Sequence, residues 1–199
     1  ISKQLKKIKV KKEITKKANI FFNKKLKKKR NKILGIHLSG STYKTPRDPD
    51  FPPTPEIMIE QIDKLVKKHK YNKLFLVTEK KDYLDTLYNR YGKRCVFYNS
   101  FRMHRKDNFQ IYPRHSLGNR LSEERLIEAL ILSKCNGLTF IKSNVISAAI
   151  LFAEKKLNMH EIFLGLNSKN RFISWWLWNL KKILPYNLGG LKILKTYDY

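Results

Sequence analysis

Apolar positions over residues 33–166 follow two alternating patterns, short runs and stretches repeating at helical spacing. Ile33–Leu38 is a short apolar run of the kind that forms a strand buried on both faces. A proline-rich loop, Pro46 to Pro55, follows, and Thr54-Pro55-Glu56 then reads as a helix start. Thr54 is the N-cap, Pro55 sits at the first helical position and an acid stands in the first turn. Met58, Ile59, Ile62, Leu65 and Val66 continue that helix at the right spacing. Lys73–Thr78 predicts a second strand, and Tyr83, Leu84, Leu87, Tyr88 and Tyr91 predict a helix that stops at Gly92.

Arg94–Tyr98 predicts a third strand, followed by a polar segment from Asn99 to Arg120 that is rich in Arg and His. Long loops of this kind in compact domains are functional or disordered. Ser122 is expected to cap a helix through Ser133, Gly137–Ile141 to form a strand, Val145–Lys155 a helix and Glu161–Leu166 a last strand. Strands alternating with helices in this order predict an α/β fold, a Rossmann-like parallel sheet with helices on both faces. Ligands of such sheets sit at the carboxyl ends of the strands. Here those ends are His37–Lys44, Thr78–Lys80, Asn99–Arg105 and Lys142–Asn144.

The first of these ends carries the clearest chemistry. Gly35-Ile36-His37-Leu38-Ser39-Gly40-Ser41-Thr42-Tyr43-Lys44 runs from an apolar strand directly into a small, polar loop. Successive backbone N–H groups in a Gly/Ser turn form an anion-binding concavity, with His37 at its rim to bond a base or hydroxyl. An ordinary strand-to-loop connection with a core histidine is the competing reading.

Composition adds an extreme charge. The 199 residues hold 43 Lys and Arg against 16 Asp and Glu, a net charge of +27. Residues 1–32 contribute fourteen Lys, one Arg and one Glu, so 15 − 1 = +14 lies in an N-terminal segment. This segment reads as a basic helical arm or the remnant of a preceding domain, with Leu5, Ile8, Ile14, Ala18, Phe21, Phe22 and Leu26 on a thin apolar face. Such charge suits nucleic acid, an anionic membrane or a phosphorylated ligand, and lysines spread over every face would bind nothing in particular. Base stacking needs aromatics among the cations, and only Phe21 and Phe22 interrupt the lysines, so a nucleic-acid partner is disfavoured.

Cys95 and Cys135 lack any CxxC spacing and read as buried thiols of a reducing compartment, hence a cytoplasmic location. The five histidines, at 37, 69, 104, 115 and 160, show no metal-binding spacing. The opening residues show neither a Met start nor the apolar core of a signal peptide, so they read neither as an intact signal peptide nor clearly as the true N-terminus, and whether residues precede Ile1 stays open. Residues 168–199 form a tail in which Phe172–Leu184 resembles an amphipathic helix with a Trp belt and a basic end. It is too short to span a bilayer and is expected either to lie on a membrane interface or to pack against a neighbouring domain.

Three segments together carry a family resemblance. Gly35–Lys44 (GIHLSGSTYK) is similar to a strand ending in His-x-Arg followed by Gly-Thr-Asp-Tyr; Leu74–Lys81 (LFLVTEKK) is similar to a strand ending in Ala-Thr-Asp-Asp. Arg125–Ala149 (RLIEALILSKCNGLTFIKSNVISAA) is similar to a helix with an acid and Leu-Leu-Ser, leading to a strand ending in Ser-Asn or Ser-Ser. In order and spacing, residues 33–167 resemble the C-terminal, nucleotide-binding half of GDP-fucose-dependent glycosyltransferases, the bacterial and nodulation α-1,2/α-1,6-fucosyltransferase superfamily. The resemblance implies the donor-binding domain of a GT-B enzyme, with GDP-fucose or a related nucleotide sugar as donor and a glycan as acceptor. It implies inverting transfer with no metal or other cofactor.

By the same resemblance, His37 helps hold the guanine nucleotide, with Ser39, Gly40 and Ser41 in the loop beside it. Glu128 accepts from guanine's N–H groups, or is an exposed helix acid; Ser143 and Asn144 contact phosphate, or Ser143 is a simple N-cap. Glu79 matches an acidic position. Ser39 stands where the family has the arginine that neutralises the leaving pyrophosphate, and Thr42 where it has an aspartate. Lys44, Arg47, Arg102, Arg105, Arg114 or Arg120 is expected to supply that charge from the same rim. No catalytic base is evident. The competing function is a catalytically impaired nucleotide-binding or scaffolding domain on an anionic membrane surface.

Overall fold

The computed structural model describes residues 9–38, 51, 53–102 and 114–191. Five parallel strands form one sheet in the order β3-β2-β1-β4-β5. They are β1 (Ile33–Leu38), β2 (Lys73–Thr78), β3 (Cys95–Phe97), β4 (Gly137–Phe140) and β5 (Asn158–Glu161). The helices are α1 (Lys12–Phe21), α2 (Pro55–His69), α3 (Lys81–Tyr91), α4 (Arg114–Leu132), α5 (Asn144–Leu151) and α6 (Arg171–Ile183). This is the Rossmann-like α/β architecture that the alternation predicts.

Period-two alternation sorts the strand side chains onto two cores. Leu34, Ile36, Leu38, Leu74 and Leu76 face Met58, Ile59 and Ile62 of α2 and Leu84 and Leu87 of α3. Ile33, Phe75 and Val77 face Ile127, Leu130 and Ile131 of α4 and Ile146 and Ala149 of α5. Gly35 and His37 share this second face, because they alternate with Leu34, Ile36 and Leu38. That places the β1 histidine on the α4–α5 side.

Helix signals read from sequence act as expected in α2 and α3. Thr54 Oγ1 accepts from Ile57 N–H at 3.4 Å, Pro55 opens α2, and Lys70 closes it in the left-handed region. Gly92, at φ 52°, ends α3. Asn72 and Asn136 clamp the entry to β1 from both sides, their Oδ1 atoms accepting from Lys32 and Ile33 N–H at 2.8 Å.

Four expectations need correction. Ser122 is not a cap: α4 starts eight residues earlier, at Arg114, and Ser122 Oγ donates to Gly118 O at 2.8 Å within the helix. The first turns of α4 are polar, so periodicity alone left them in the loop. The fifth strand is Asn158–Glu161, not 161–166, and it is largely exposed. As an edge strand it needs backbone pairing to β4 rather than apolar side chains, while Ile162 and Leu164 pack beside Phe51 and Trp178 instead. Helix α5 ends at Leu151, short of Lys155, as the chain turns back to bury Leu157. β3 is confined to Cys95–Phe97, and the chain leaves it through Tyr98.

Helix α1 lies on the sheet's α4 face, with Ala18 and Leu26 fully buried there and Ile14, Phe21 and Phe22 packed around them. It ends in a π-helical turn, Phe22–Leu26, closed by Lys27 N–H donating to Phe22 O at 2.8 Å. At the other end of the chain, α6 is capped by Asn170, whose Oδ1 accepts from Phe172 and Ile173 N–H. Its inner side sets Trp178 against Phe51, rings stacked at 5.8 Å, with Ile57 and Leu191 alongside. Both thiols are buried and unpaired, and burial pushes each up to about 12.

Candidate functional site

Strand order reverses between β1 and β4: α2 leaves β1 on one face of the sheet, and α4 reaches β4 on the other. Connections diverge there, at the carboxyl ends, which is where ligands of such sheets bind. His37 pairs with Phe140 across this switch point, three residues before Ser143.

His37 is only 5% exposed, and burial, reinforced by the charge of Arg125, lowers its pKa to about 4. The ring is therefore neutral at pH 7, with one donor and one acceptor nitrogen. Ser143 Oγ stands 3.4 Å from its Nδ1. The same oxygen accepts from Ile146 N–H at 3.2 Å, so Ser143 is the N-cap of α5. Asn144 is exposed at the helix start. The N–H groups of Asn144 and Val145 have no intrahelical acceptor there, and the helix dipole makes that end favourable for an anion.

Beside this end lies a buried charge cluster. The Glu128 carboxylate is completely buried: Oε1 accepts from Ser100 Oγ at 2.6 Å and Oε2 from the Arg125 guanidinium at 2.7 Å. Arg102 approaches Oε1 at 3.6 Å. Burial pushes the Glu128 carboxyl up, against the pull of Arg125, Ser100 and Arg102. Glu128 is thus a core acid and not the exposed helix acid that was its alternative reading.

Arg102 donates to Ser100 O at 3.0 Å and Tyr98 O at 2.8 Å, stacks over Phe97, and leaves its side chain 7% exposed. Its guanidinium holds the exit of β3. Arg125, not singled out by the sequence, is more accessible, with its side chain 21% exposed. It lies between Glu128 and Glu79, its Nε 3.9 Å from the Glu79 carboxylate. The three-residue offset of Arg125 and Glu128 on one helix face was the available signal. Arg120 pairs with Glu124 at 2.9 Å and is exposed. Ser39, Gly40, Ser41, Thr42, Lys44, Arg47 and Arg105 lie outside the described residues, as does the side chain of Arg114.

A separate cleft of about 420 Å³ opens between the π-turn, the end of α4 and the end of α5, lined by Asn19, Phe22, Lys27, Lys134 and Lys155 among others. Its walls precede β1, β4 and β5, so it belongs to the amino edge of the sheet. His37 stands at the opposite, carboxyl edge.

Comparison with known structures addresses the arrangement as a whole. NodZ α-1,6-fucosyltransferase soaked with GDP-fucose superposes with a TM-score of 0.50 and 17% identity, over 74% of this chain and 44% of that one. POFUT1 in complex with GDP superposes with a TM-score of 0.50 and 13% identity, over 79% of this chain and 49% of that one. The fold is that of one half of these fucosyltransferases. At these identities the likeness speaks for the fold alone, and the chain spans less than half the length of either enzyme. No family model matches the sequence, and no curated protein matches it.

Proposed function

We propose that the crevice between β1 and β4 binds the nucleotide of a GDP-sugar, and that the chain is the donor-binding part of a fucosyltransferase-like glycosyltransferase. The observation that carries this is the convergence of His37, Ser143 and Arg125 at the switch point. Support also comes from a fold shared with enzymes crystallised with GDP and GDP-fucose. In this reading the start of α5, with Ser143 and Asn144, takes a phosphate, and neutral His37 hydrogen-bonds the nucleotide. The resemblance adds the backbone N–H groups of Ser39, Gly40 and Ser41, which lie outside the described residues.

Arg125 has a second task. Ser39 removes the family's pyrophosphate arginine, and Arg125 is placed to replace it by swinging from Glu128 toward the diphosphate. That movement releases Glu128 Oε2 as an acceptor for a guanine N–H, while Ser100 keeps Oε1. Transfer then consists of attack by an acceptor glycan hydroxyl on the anomeric carbon with inversion, as the bond to the diphosphate breaks, GDP leaves and the hydroxyl proton passes to water. A cation at the leaving group stabilises the charge that develops there, without a metal or other cofactor.

Calorimetry with GDP, GDP-fucose and GMP tests the site. Micromolar GDP binding that weakens in Arg125→Ala is the expected result, and no GDP binding overturns the reading. Release of GDP from GDP-fucose with a glycan acceptor tests transfer. Ser39 and Thr42, in place of the family Arg and Asp, favour a second reading: GDP binding without turnover, in a scaffolding domain.

A further inference from the structure

We propose that α6 is a docking helix for an anionic lipid surface, lying flat with its outer face in the interface. On a helical wheel, Phe172, Ile183, Trp176, Leu180 and Ile173 fall within an arc of about 100°. They are 80%, 71%, 70%, 49% and 52% exposed. Trp175, at 55%, flanks the arc and meets Trp176 edge-on at 5.9 Å. The opposite side of the helix is the one that packs: Ser174 is 1% and Trp178 8% exposed. The helix therefore buries one side on the domain and turns its most apolar side outward. Single exposed apolar residues are ordinary, but a contiguous set containing two tryptophans marks an interaction surface.

Charge identifies the occupant. From Ile162 to Tyr197 the sequence holds Lys169, Arg171, Lys182, Lys192 and Lys195, besides Lys181, which turns inward onto the Leu164 and Gly189 carbonyls, and not one Asp or Glu. A protein interface core excludes lysine, whereas a membrane interface accepts tryptophan and lysine side by side and an anionic headgroup layer rewards the lysines. Among the described residues no helix is long and apolar enough to cross a membrane, so the helix lies on the surface. Phe51 and Ile57 beneath α6 follow β1, and Ile162 and Leu164 follow β5, which sets the helix near the carboxyl edge that carries the nucleotide crevice. Docking would thus bring that edge toward the lipid.

The chain's three tryptophans all lie in α6, so intrinsic fluorescence reports on this helix alone. The test mixes the full chain with phosphatidylcholine vesicles with and without phosphatidylglycerol, at low and high salt, and follows co-sedimentation and tryptophan emission. Expected are binding to the anionic vesicles with a blue shift, weakening with salt, and a loss of about tenfold or more in the Phe172→Ser/Trp176→Ser/Ile183→Ser variant. These side chains point outward, so the variant should keep its far-UV spectrum and its urea midpoint. No binding to anionic vesicles overturns the proposal. So does equal binding by the variant. Self-association of the chain that the same variant abolishes, without any vesicle binding, would instead make the face a protein interface and also overturn it. The outcome is independent of the GDP titration, so either proposal can fail alone.

Discussion

Ser143 Oγ and His37 Nδ1 lie 3.4 Å apart, joining the ends of two neighbouring strands whose residues are 106 positions apart in sequence. Because the serine oxygen already receives the Ile146 N–H, its own proton is available to the ring. One residue thus caps a helix and sets a histidine. The pair ties the geometry of the switch point to two consequences that can be measured separately.

The first is pH dependence. His37 is held at about 4 against an ordinary 6.5, so the folded chain binds fewer protons than the unfolded chain between these values. Stability contributed by the neutral ring is complete above pH 6.5, falls as pH drops toward 4 and falls no further below it. The shift corresponds to roughly 3 kcal/mol. Urea unfolding of the wild type should therefore lose that much relative to His37→Gln across this window. Parallel profiles for the two proteins would rule it out.

The second concerns the cap. Ser143→Ala removes the acceptor for Ile146 N–H and should cost about 1 kcal/mol, read as a lower urea midpoint. Ser143→Asp keeps an acceptor for that N–H and should recover the midpoint. If a phosphate sits at this helix start, the added negative charge should nonetheless weaken GDP binding. Recovery of both stability and affinity would leave Ser143 as a cap only.

Glu128 should behave as a buried anchor. Glu128→Ala strips Ser100, Arg102 and Arg125 of their shared acceptor, and leaves the nearly inaccessible Arg102 guanidinium with only the weaker attraction of Glu124. Removing one partner of a buried pair costs about 3–5 kcal/mol. Thermal or urea unfolding reads this directly, and a loss under 1 kcal/mol would show the cluster to be slack.

Arg125 links the cluster to the crevice. Its charge helps depress His37, so Arg125→Ala should raise the histidine's pKa, measurable by NMR titration of the ring. The same variant should weaken GDP more than guanosine, since only GDP carries the diphosphate. Equal losses for both ligands would remove Arg125 from the phosphate.

How far the sequence reveals all this depends on what each element needs. β1 and β2 occupy the predicted residues 33–38 and 73–78, because central strands must be apolar on both faces. β5 was misplaced because an edge strand is defined by backbone pairing, and Asn158-Met159-His160-Glu161 carries no strand pattern. His37 and Ser143 were legible as strand-end residues, since a parallel sheet brings strand ends together. Arg102 on Glu128 was not, because it depends on how the chain turns after β3 to meet α4, a tertiary contact with no local signal.

Two glycines should respond to the same substitution with opposite signs. A β-carbon on Gly35 would meet Leu138 Cδ2 at 2.6 Å and Leu132 Cδ2 at 2.7 Å, with Cys135 Sγ at 3.3 Å. The two closest atoms are the tips of leucine side chains, one on α4 and one on β4, but both leucines and Cys135 are completely buried, so they must change rotamer within a full core. Overpacking of this kind costs about 1–3 kcal/mol, and Gly35→Ala should lower the urea midpoint accordingly. Because Gly35 and His37 lie on the same face of β1, the displacement should also weaken GDP binding. In α4, a β-carbon on Gly118 meets nothing within 4 Å, and alanine there should stabilise the helix by about 0.5–1 kcal/mol. A neutral Gly35→Ala would mean that the α4–β1 contact is looser than the packing of Leu132 and Leu138 implies.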